Sequence, residues 1–267
     1  MVTSKRIDEI ILFSRITKEL VKTKNEEELI AVDVACDHGF IGESLLKNKI
    51  VNKVIFSDIS AKSLKKAQDL MRNQYNFADF EFKIGDGLTV LKSNVFLSVI
   101  AGIGGREIVK ILSQQQSRFS KFLILQTSQD DVFVRDSLSG MGFFILMDKM
   151  VFENNHIYHT FLITREKIYD ESRLIVESLK NFGYINHNIT ADEWKYFDSF
   201  GSSFFGKSNL LIDTKEHIEM LLWLKNRLLD NIKNNEKTIN RSQSFDKYIN
   251  IQKEKVVLLD NIMSWVI

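Results

Sequence analysis

The stretch that decides the fold is LIAVDVACDHG, residues 29–39, in which a short apolar run ends in a turn that carries acids and a glycine. A nucleotide-binding fold makes its first strand-to-helix turn with the pattern acid-x-Gly-x-Gly-x-Gly, because glycines let a cofactor approach the backbone closely. Asp33 supplies the acid and Gly39 the last glycine, whereas Ala35 and Asp37 occupy the other two glycine positions. The stretch therefore predicts the first strand and cofactor turn of such a fold from a partial match.

Short apolar runs and helical patterns alternate through the sequence around this turn. Five runs are predicted as strands, over residues 29–34, 53–59, 80–84, 95–101 and 121–126. Helical patterns cover residues 41–48, 61–73, 105–115 and 130–138, and an amphipathic helix over residues 4–22 opens the chain. Ser60 is placed to act as the N-cap of the helix that begins at Ala61. Strands that alternate with helices indicate a parallel sheet with helices on both faces.

A β-hairpin is predicted to close this sheet. Residues 143–151 and 157–164 form its strands, and Glu153-Asn154-Asn155 joins them. A terminal hairpin on a parallel sheet is typical of class I methyltransferases rather than of most dehydrogenases. We therefore predict an α/β fold, with a Rossmann-like class I methyltransferase domain over residues 1–166.

The sequence changes character after Arg165. A helix is predicted over residues 169–181, and residues 194–205 are rich in aromatic side chains. Two long amphipathic helices follow, over residues 214–239 and 245–265, with residues 241–244 as the turn between them. Helices with so short a connection pack as an antiparallel hairpin. Residues 167–267 are therefore predicted to form a C-terminal helical domain of coiled-coil type.

The composition indicates a globular protein of a reducing compartment. The chain has 267 residues, of which 44% are hydrophobic and 27% charged, and its single cysteine excludes an internal disulfide framework. The net charge is +1, so a surface for nucleic acid would have to be a local patch. No apolar segment reaches the roughly 18 residues of a membrane helix, and we expect a cytosolic protein. The chain lacks proline, which weakens any argument from a missing proline-containing motif.

Acids at the ends of successive strands strengthen the cofactor interpretation. Ligands of an open α/β sheet bind outside the carboxyl ends of its strands. Asp58, about 20 residues beyond the first turn, is placed to bind ribose hydroxyls, and Asp86 could accept a hydrogen bond from an adenine amino group. Each acid alone could instead cap a helix or turn. Together with the first turn they fit S-adenosylmethionine or NAD. The predicted cofactor-binding residues are Asp33, Ala35, His38, Gly39, Asp58, Ile59, Asp86, Gly87, Ala101 and Gly102.

Asp37 is predicted to be the catalytic residue. A carboxylate in place of a glycine hinders close approach to the backbone, so we expect it to serve the reaction. It would lie near a transferable methyl group, where it could orient or deprotonate a substrate amine. His38 could share that work or cap the next helix. The turn Gly102–Gly105 lies where methyltransferases place their substrate, although Arg106 after it would also suit a phosphate. The five histidines are scattered, and no metal site is predicted.

Three segments carry a resemblance to a known family. They are residues 31–38, AVDVACDH, residues 100–105, IAGIGG, and residues 123–126, LILQ. These segments resemble the bacterial tRNA (adenine-N1)-methyltransferase family that acts at adenine 22, the TrmK family. The similarity extends to residues 4–7, residues 85–88 and the helical C-terminus, so it spans most of the chain. It implies S-adenosylmethionine as the cofactor, tRNA as the partner and a C-terminal coiled-coil domain that helps to grip tRNA. The implied substrate-binding residues are Arg6, Gly104, Gly105 and Gln126.

The chain departs from the family pattern at several positions. The family has glycine at the place of Ala35, a small residue other than glycine at Gly39, methionine at Ile103 and Pro-Asn at Thr127-Ser128. A proline after the Asp37-His38 pair is also missing. The change at Thr127 removes the support for a substrate role of that turn.

The resemblance implies a mechanism. Adenine N1 is already nucleophilic, so the enzyme must expose the base and align it with the sulfonium methyl group. N1-methylated adenine is cationic until a proton leaves N6, and our hypothesis is that Asp37 accepts this hydrogen. We expect a monomer, although the sequence does not decide whether the helical hairpin dimerises.

Three alternatives stay open from the sequence. One is a methyltransferase for another RNA or a small molecule. An NAD-dependent oxidoreductase is disfavoured by the incomplete glycine pattern and the terminal hairpin. A noncatalytic RNA- or protein-binding scaffold is disfavoured by the acids at three strand ends.

Overall fold

The computed structural model describes residues 4–21, 29–72, 75, 79–168, 171–185, 215–237 and 242–266. The chain divides into two compact units, Met1–Ser178 and Leu179–Ile267. The division falls within a helix of residues 171–181. The domain boundary near residue 166 that the sequence suggests stays a prediction. The aromatic-rich residues 194–205 lie outside the described residues.

The first unit is built on a mixed sheet. The order of the strands across it is β3-β2-β1-β4-β5-β7-β6. Strands β1 to β5 pair in parallel, and β7 pairs antiparallel with both β5 and β6. The prediction of a Rossmann-like sheet closed by a hairpin is confirmed. The strands are β1 (Ile30–Val34), β2 (Lys53–Asp58), β3 (Phe80–Ile84), β4 (Val95–Ala101), β5 (Ser120–Thr127), β6 (Phe144–Glu153) and β7 (His156–Thr164).

Helices α2 (Phe40–Lys47), α3 (Ala61–Met71) and α4 (Gly105–Leu112) connect parallel strands. Helix α1 (Lys5–Val21) precedes β1, α5 (Asp131–Gly140) leads from β5 into the hairpin, and α6 (Glu171–Asn181) follows β7. The Ser60 hydroxyl accepts a hydrogen bond from the Ser63 amide at 3.2 Å, which confirms the predicted N-cap of α3. Helix α4 is shorter than predicted, because the chain leaves the α-helix at Leu112 and forms a separate 3-10 turn over Gln115–Phe119.

The hairpin has longer strands than the sequence predicts. Strand β6 continues to Glu153 and β7 begins at His156, so the connection is the pair Asn154-Asn155. Both asparagines have a positive φ, 51° and 61°. Two successive residues with positive φ make the tight turn that matches the twist of a β-hairpin, and asparagine tolerates this conformation well. The predicted three-residue connection is therefore wrong by one residue.

The core lies on both faces of the central strands. Val32 of β1, Leu97 of β4 and Ile124 of β5 are fully buried. Strands covered on both faces are continuously apolar rather than alternating, which explains why these runs are readable in the sequence. Helix α1 adds Phe13 to the buried set, and its Glu9 forms a buried ion pair with Lys149 of β6.

The second unit contains two long helices, α7 (Lys215–Glu236) and α8 (Gln243–Val266). They pack against each other in antiparallel directions. Lys225, in the first half of α7, pairs with Asp260 near the end of α8, whereas Glu236, at the end of α7, pairs with Lys253 nearer the start of α8, at 2.6 Å. The predicted helical hairpin is confirmed, and its coiled-coil character stays a prediction. Among the described residues, no helix is long and apolar enough to cross a membrane.

Candidate active site

The candidate site lies at the carboxyl edge of the parallel strands. The strand order reverses between β1 and β4. From β1 the sheet continues outward through β2 and β3, and from β4 it continues in the opposite direction through β5. A crevice forms at such a switch point, and ligands of doubly wound sheets bind there. The turn after β1, residues 35–39, is at this point. The ends of β2, β3 and β4 bring the predicted residues 58–59, 86–87 and 101–105 to the same edge.

The first turn keeps the backbone of a glycine loop although it has lost two of the glycines. Ala35, Asp37 and Gly39 all have a positive φ, at 56°, 41° and 77°. These are the three positions where the nucleotide-binding pattern has glycine. A residue with a Cβ costs about 1–2 kcal/mol in this conformation, so Ala35 is strained, whereas aspartate, as at position 37, is one of the few residues that tolerate it. The Cys36 amide, which donates to the Ser57 carbonyl at 3.2 Å, ties the turn to the end of β2.

Asp33 lies at the end of β1, just before this turn, and its side chain binds the backbone of α2. Its side chain is buried, and Oδ2 accepts a hydrogen bond from the Gly42 amide of α2 at 2.9 Å. Burial raises the pKa of Asp33 to about 7; the nearby Asp58 charge also raises it, and the Gly42 hydrogen bond opposes the shift. Asp33 therefore connects β1 to α2, and its predicted contact with a cofactor stays a prediction.

Asp58 organises two turns at once. Its Oδ1 accepts a hydrogen bond from the Ser60 amide at 2.8 Å, and Oδ2 accepts one from the Asp37 amide at 3.3 Å. The carboxylate therefore positions both the first turn and the start of α3. Each carboxylate oxygen can accept more than one hydrogen bond, so these contacts leave capacity for ligand hydroxyls.

Two large apolar side chains are exposed to solvent at the neighbouring ends of β2 and β3. Ile59 follows Asp58 and is 73% exposed, and Ile84, which pairs with Asp58 across the ladder, is 66% exposed. Large exposed aliphatic side chains that lie together commonly mark a binding surface. Ile59 is among the predicted residues, whereas Ile84 is missed because it looks like an ordinary strand residue. The exposed Asp86 lies two residues further along the chain.

Asp37 belongs to a charged cluster on the surface of the first turn. Its Oδ1 is 2.7 Å from Nζ of Lys66 on α3, and its Oδ2 is 3.5 Å from Nε2 of His38. The hydrogen bond from Lys66 is the main cause that lowers the pKa of Asp37, and the charges of Lys66 and His38 act in the same direction. The His38 ring stacks on Phe40, with 5.3 Å between the ring centres. Asp37 is therefore held as an exposed, ionised hydrogen-bond acceptor.

The glycines of the turn after β4 differ in what surrounds them. A Cβ built on Gly102 or Gly104 would meet no atom within 4 Å, so this part of the backbone is open. A Cβ on Gly105 would lie 2.7 Å from the Gln129 carbonyl oxygen and 2.8 Å from Val134. Gly105 is therefore required by the close packing of α4 against the start of α5.

We expect Gly105→Ala to lower the free energy of unfolding by about 1–2 kcal/mol, and Gly104→Ala to change it by less than about 0.5 kcal/mol. At Gly105 the added methyl group overpacks the contact, which costs about 1–3 kcal/mol. This cost exceeds the gain of up to about 1 kcal/mol from the higher helix propensity of alanine. Urea unfolding of the two variants measures the difference. If Gly105→Ala and Gly104→Ala had equal free energies of unfolding, the packing role of Gly105 would be contradicted.

Arg6 and Gln126 are brought together, but both have protein partners. The Gln126 side-chain amide donates to the Arg6 carbonyl at 3.1 Å and to the Thr160 hydroxyl at 2.9 Å. The Arg6 guanidinium donates to Glu153 at 2.9 Å and lies over the Tyr158 ring, 4.6 Å from its centre. These contacts join the start of α1 to the hairpin, and the predicted substrate roles stay predictions.

Two further positions after strand ends, Thr127 and the predicted cofactor residue Gly87, lie close to neighbouring segments of the chain. Thr127 forms a short turn with Gln129, whose amide donates to the threonine hydroxyl at 3.1 Å. Gly87 is buried, and a Cβ there would lie 2.9 Å from both Gln114 and Ile111. Within the described ranges, no group of three or more His, Cys, Asp or Glu side chains could hold a metal ion.

Comparison with known proteins places the chain among methyltransferases. Residues 13–161 match the family described as "Methyltransferase domain". A Mycoplasma pneumoniae protein named "Putative tRNA methyltransferase" is 29% identical over 182 residues, which cover 66% of this chain and 83% of that protein.

Two solved structures share the fold over nearly the whole chain. The B. subtilis M1A22 tRNA methyltransferase TrmK has a TM-score of 0.63 at 15% identity, with 97% of this chain and 98% of that chain covered. M. capricolum TrmK in complex with S-adenosyl-homocysteine has a TM-score of 0.63 at 16% identity, with 97% and 100% covered. At these identities the similarity establishes the shared fold.

Proposed function

The chain belongs to the methyltransferase-domain family, and from this premise we propose that it transfers a methyl group from S-adenosylmethionine to N1 of adenine 22 in tRNA. The observation that carries the proposal is the first turn. Its backbone keeps the glycine-loop conformation at Ala35, Asp37 and Gly39, and it places an ionised Asp37 beside the predicted cofactor site. The name of one structural neighbour, the B. subtilis M1A22 tRNA methyltransferase TrmK, supports the choice of substrate, and the S-adenosyl-homocysteine in the M. capricolum TrmK structure supports the choice of cofactor.

The residues at the carboxyl edge fit this cofactor. S-adenosylmethionine supplies, when bound, an electrophilic methyl group on a sulfonium ion. Asp58 has hydrogen-bonding capacity for ribose hydroxyls, and the exposed Ile59 and Ile84 provide apolar surface for an adenine ring. Asp86 would accept from the adenine amino group. The open backbone at Gly102 leaves space on the β4 side of the crevice.

Asp37 would act on the substrate adenine. Its carboxylate is 54% exposed and therefore accessible from outside the fold. Acceptance of the N6 hydrogen disperses the positive charge that develops on the ring as N1 is alkylated. A fixed acceptor aimed at developing charge is an effective form of catalysis, because it needs no reorganisation during the reaction. The lowered pKa keeps Asp37 in the acceptor form at neutral pH.

The partner and the setting follow from the same proposal. The substrate is a folded tRNA, so residues 167–267 would help to bind it, and α7 and α8 provide a long helical surface in that part of the chain. Arg6, Gly104, Gly105 and Gln126 are the proposed substrate-binding residues of the first unit. We place the reaction in the cytosol and propose a monomeric enzyme without a metal ion.

A tRNA methylation assay tests the proposal. The protein is incubated with total tRNA and methyl-labelled S-adenosylmethionine, and the modified position is mapped by nucleoside and fragment mass spectrometry. We expect N1-methyladenosine at position 22. Methylation at another position or of another nucleoside would support methyltransferase activity but refute adenine 22 of tRNA as the substrate. Thermal stabilisation by NAD and not by S-adenosylmethionine would favour the oxidoreductase instead.

We expect Asp58→Ala to raise the Kd for S-adenosylmethionine about 10- to 100-fold. The variant loses a charged acceptor for the ribose, and such hydrogen bonds contribute about 1.5–3 kcal/mol. It also releases the Asp37 and Ser60 amides that shape the site. Isothermal titration calorimetry measures the affinity. The control is Asp69→Ala, which removes an exposed acid of α3 that pairs with Lys65. Equal affinity of both variants would refute the role of Asp58.

A further inference from the structure

A lysine from α3 reaches across to the proposed catalytic carboxylate. Nζ of Lys66 lies 2.7 Å from Oδ1 of Asp37 and 3.3 Å from Nε2 of His38. The neighbouring Lys65 of the same helix instead pairs with Asp69, one turn further along. The two lysines thus differ in direction, since one contacts the first turn and the other stays on the surface of α3.

We propose that Lys66 is a positioning residue of the methyl-transfer site, which holds the Asp37 carboxylate in the orientation that accepts the N6 hydrogen of adenine. The inference rests on the function proposed above. Lys66 acts through Asp37 and has no direct part in the transfer, so its loss should slow the reaction without removing the acceptor.

The backbone of Asp37 is fixed, but its side chain has few restraints of its own. Its φ of 41° is set by the turn, and its amide donates to Asp58. The side chain is 54% exposed, so packing does not select its rotamer. A strong charged hydrogen bond from Lys66 supplies the orientation that packing leaves open. The contact with His38 is longer, at 3.5 Å, and gives a weaker restraint.

The charges around Asp37 favour the same arrangement. Lys66 and Ser63 of α3 and His38 of the turn all stabilise the ionised carboxylate, and the hydrogen bond from Lys66 has the largest effect on its pKa. From β2, the Asp58 carboxylate faces the Asp37 amide rather than its side chain. An exposed ion pair contributes little to fold stability. The main effect of the Lys66–Asp37 pair is therefore on the Asp37 carboxylate of the candidate active site.

The experiment compares Lys66→Met, Lys66→Arg and the matched control Lys65→Met in the tRNA methylation assay. We expect Lys66→Met to lower kcat roughly two- to fivefold, the range of an exposed ion pair, with unchanged KM for S-adenosylmethionine and for tRNA. Lys66→Arg should retain most of the parent kcat, and Lys65→Met all of it. All three variants should unfold at the parent temperature within about 2 °C.

A second measurement needs no tRNA. NMR of the labelled Asp37 carboxyl carbon follows its titration, and the pKa should be higher in Lys66→Met than in the parent, with Lys65→Met unchanged. An unchanged kcat or an unchanged Asp37 titration in Lys66→Met would overturn the proposal. A rise in KM for tRNA alone would also overturn it, because it would make Lys66 a phosphate contact. An inactive parent protein would refute the proposed function itself and the assigned role of Asp37, while the titration would still report on the ion pair.

Discussion

Replacement of Asp37 by Asn should lower kcat for tRNA methylation by at least about 100-fold, with the Kd for S-adenosylmethionine changed less than about threefold. Loss of a positioned acceptor for a transferred proton costs about 10²–10⁴ in rate. The asparagine side chain is neutral and can neither take up the N6 hydrogen nor balance the charge of methylated adenine. Single-turnover assays with saturating cofactor measure the chemical step, and calorimetry measures the affinity.

Asparagine is the right substitution because the position has a positive φ. Asp37 has a φ of 41°, and asparagine is one of the few residues that tolerate positive φ. Asp37→Ala should also lose turnover, but it adds backbone strain to the loss of the carboxylate. Asp69→Asn, in an exposed acid of α3, serves as the control for net charge. Turnover of Asp37→Asn within a few fold of the parent would remove Asp37 from the mechanism.

The sheet is readable from the sequence because its strands are buried on both faces. Apolar runs as short as those of β1, β4 and β5, separated by helical patterns, favour strands covered on both faces over buried helices. The ends of the elements are less well defined. The connection in the hairpin depends on Asn154 and Asn155 both taking a positive φ, and this is a property of the twist of the paired strands as much as of the two residues.

The candidate site is only partly readable, for a physical reason. Residue identity indicates backbone conformation through glycine, and Ala35 and Asp37 hide the conformation that they share with Gly39. The contact between Lys66 and Asp37 joins residues 29 positions apart on different elements, which no local periodicity reveals. Conversely, the sequence grouped Gly104 with Gly105, whereas the structure separates an open position from a packed one.

A buried acid in the first turn leads to the second large effect that we expect. Asp33→Asn should stabilise the protein relative to the parent at pH 8 but much less at pH 5. The folded-state pKa of Asp33 is about 7, because the carboxyl group is buried, whereas the unfolded value is 3.8. Between these values the folded chain keeps a proton that the unfolded chain has lost. The free energy of unfolding of the parent therefore falls as pH rises through this window and is constant above it.

The asparagine variant lacks this titration, and its amide oxygen can still accept the hydrogen bond of the Gly42 amide. The advantage of the variant should grow on the order of 3 kcal/mol between about pH 5 and about pH 8, at 1.36 kcal/mol for each unit below a pKa of about 7. Urea unfolding at the two pH values measures it. Asp69→Asn, at an exposed acid, should show no such growth, and parallel curves for Asp33→Asn and the parent would refute the raised pKa.

The same variant decides what the ionised Asp33 is for. A carboxylate that destabilises the fold at neutral pH is expected where function requires negative charge, and the positive charge of S-adenosylmethionine would favour the ionised form. If Asp33→Asn gains stability and binds the cofactor at least about tenfold more weakly, the charge serves cofactor binding at the expense of the fold. A gain in stability with undiminished affinity would leave Asp33 as a link between β1 and α2 through Gly42. The comparison of unfolding with calorimetry on one variant therefore separates the two roles.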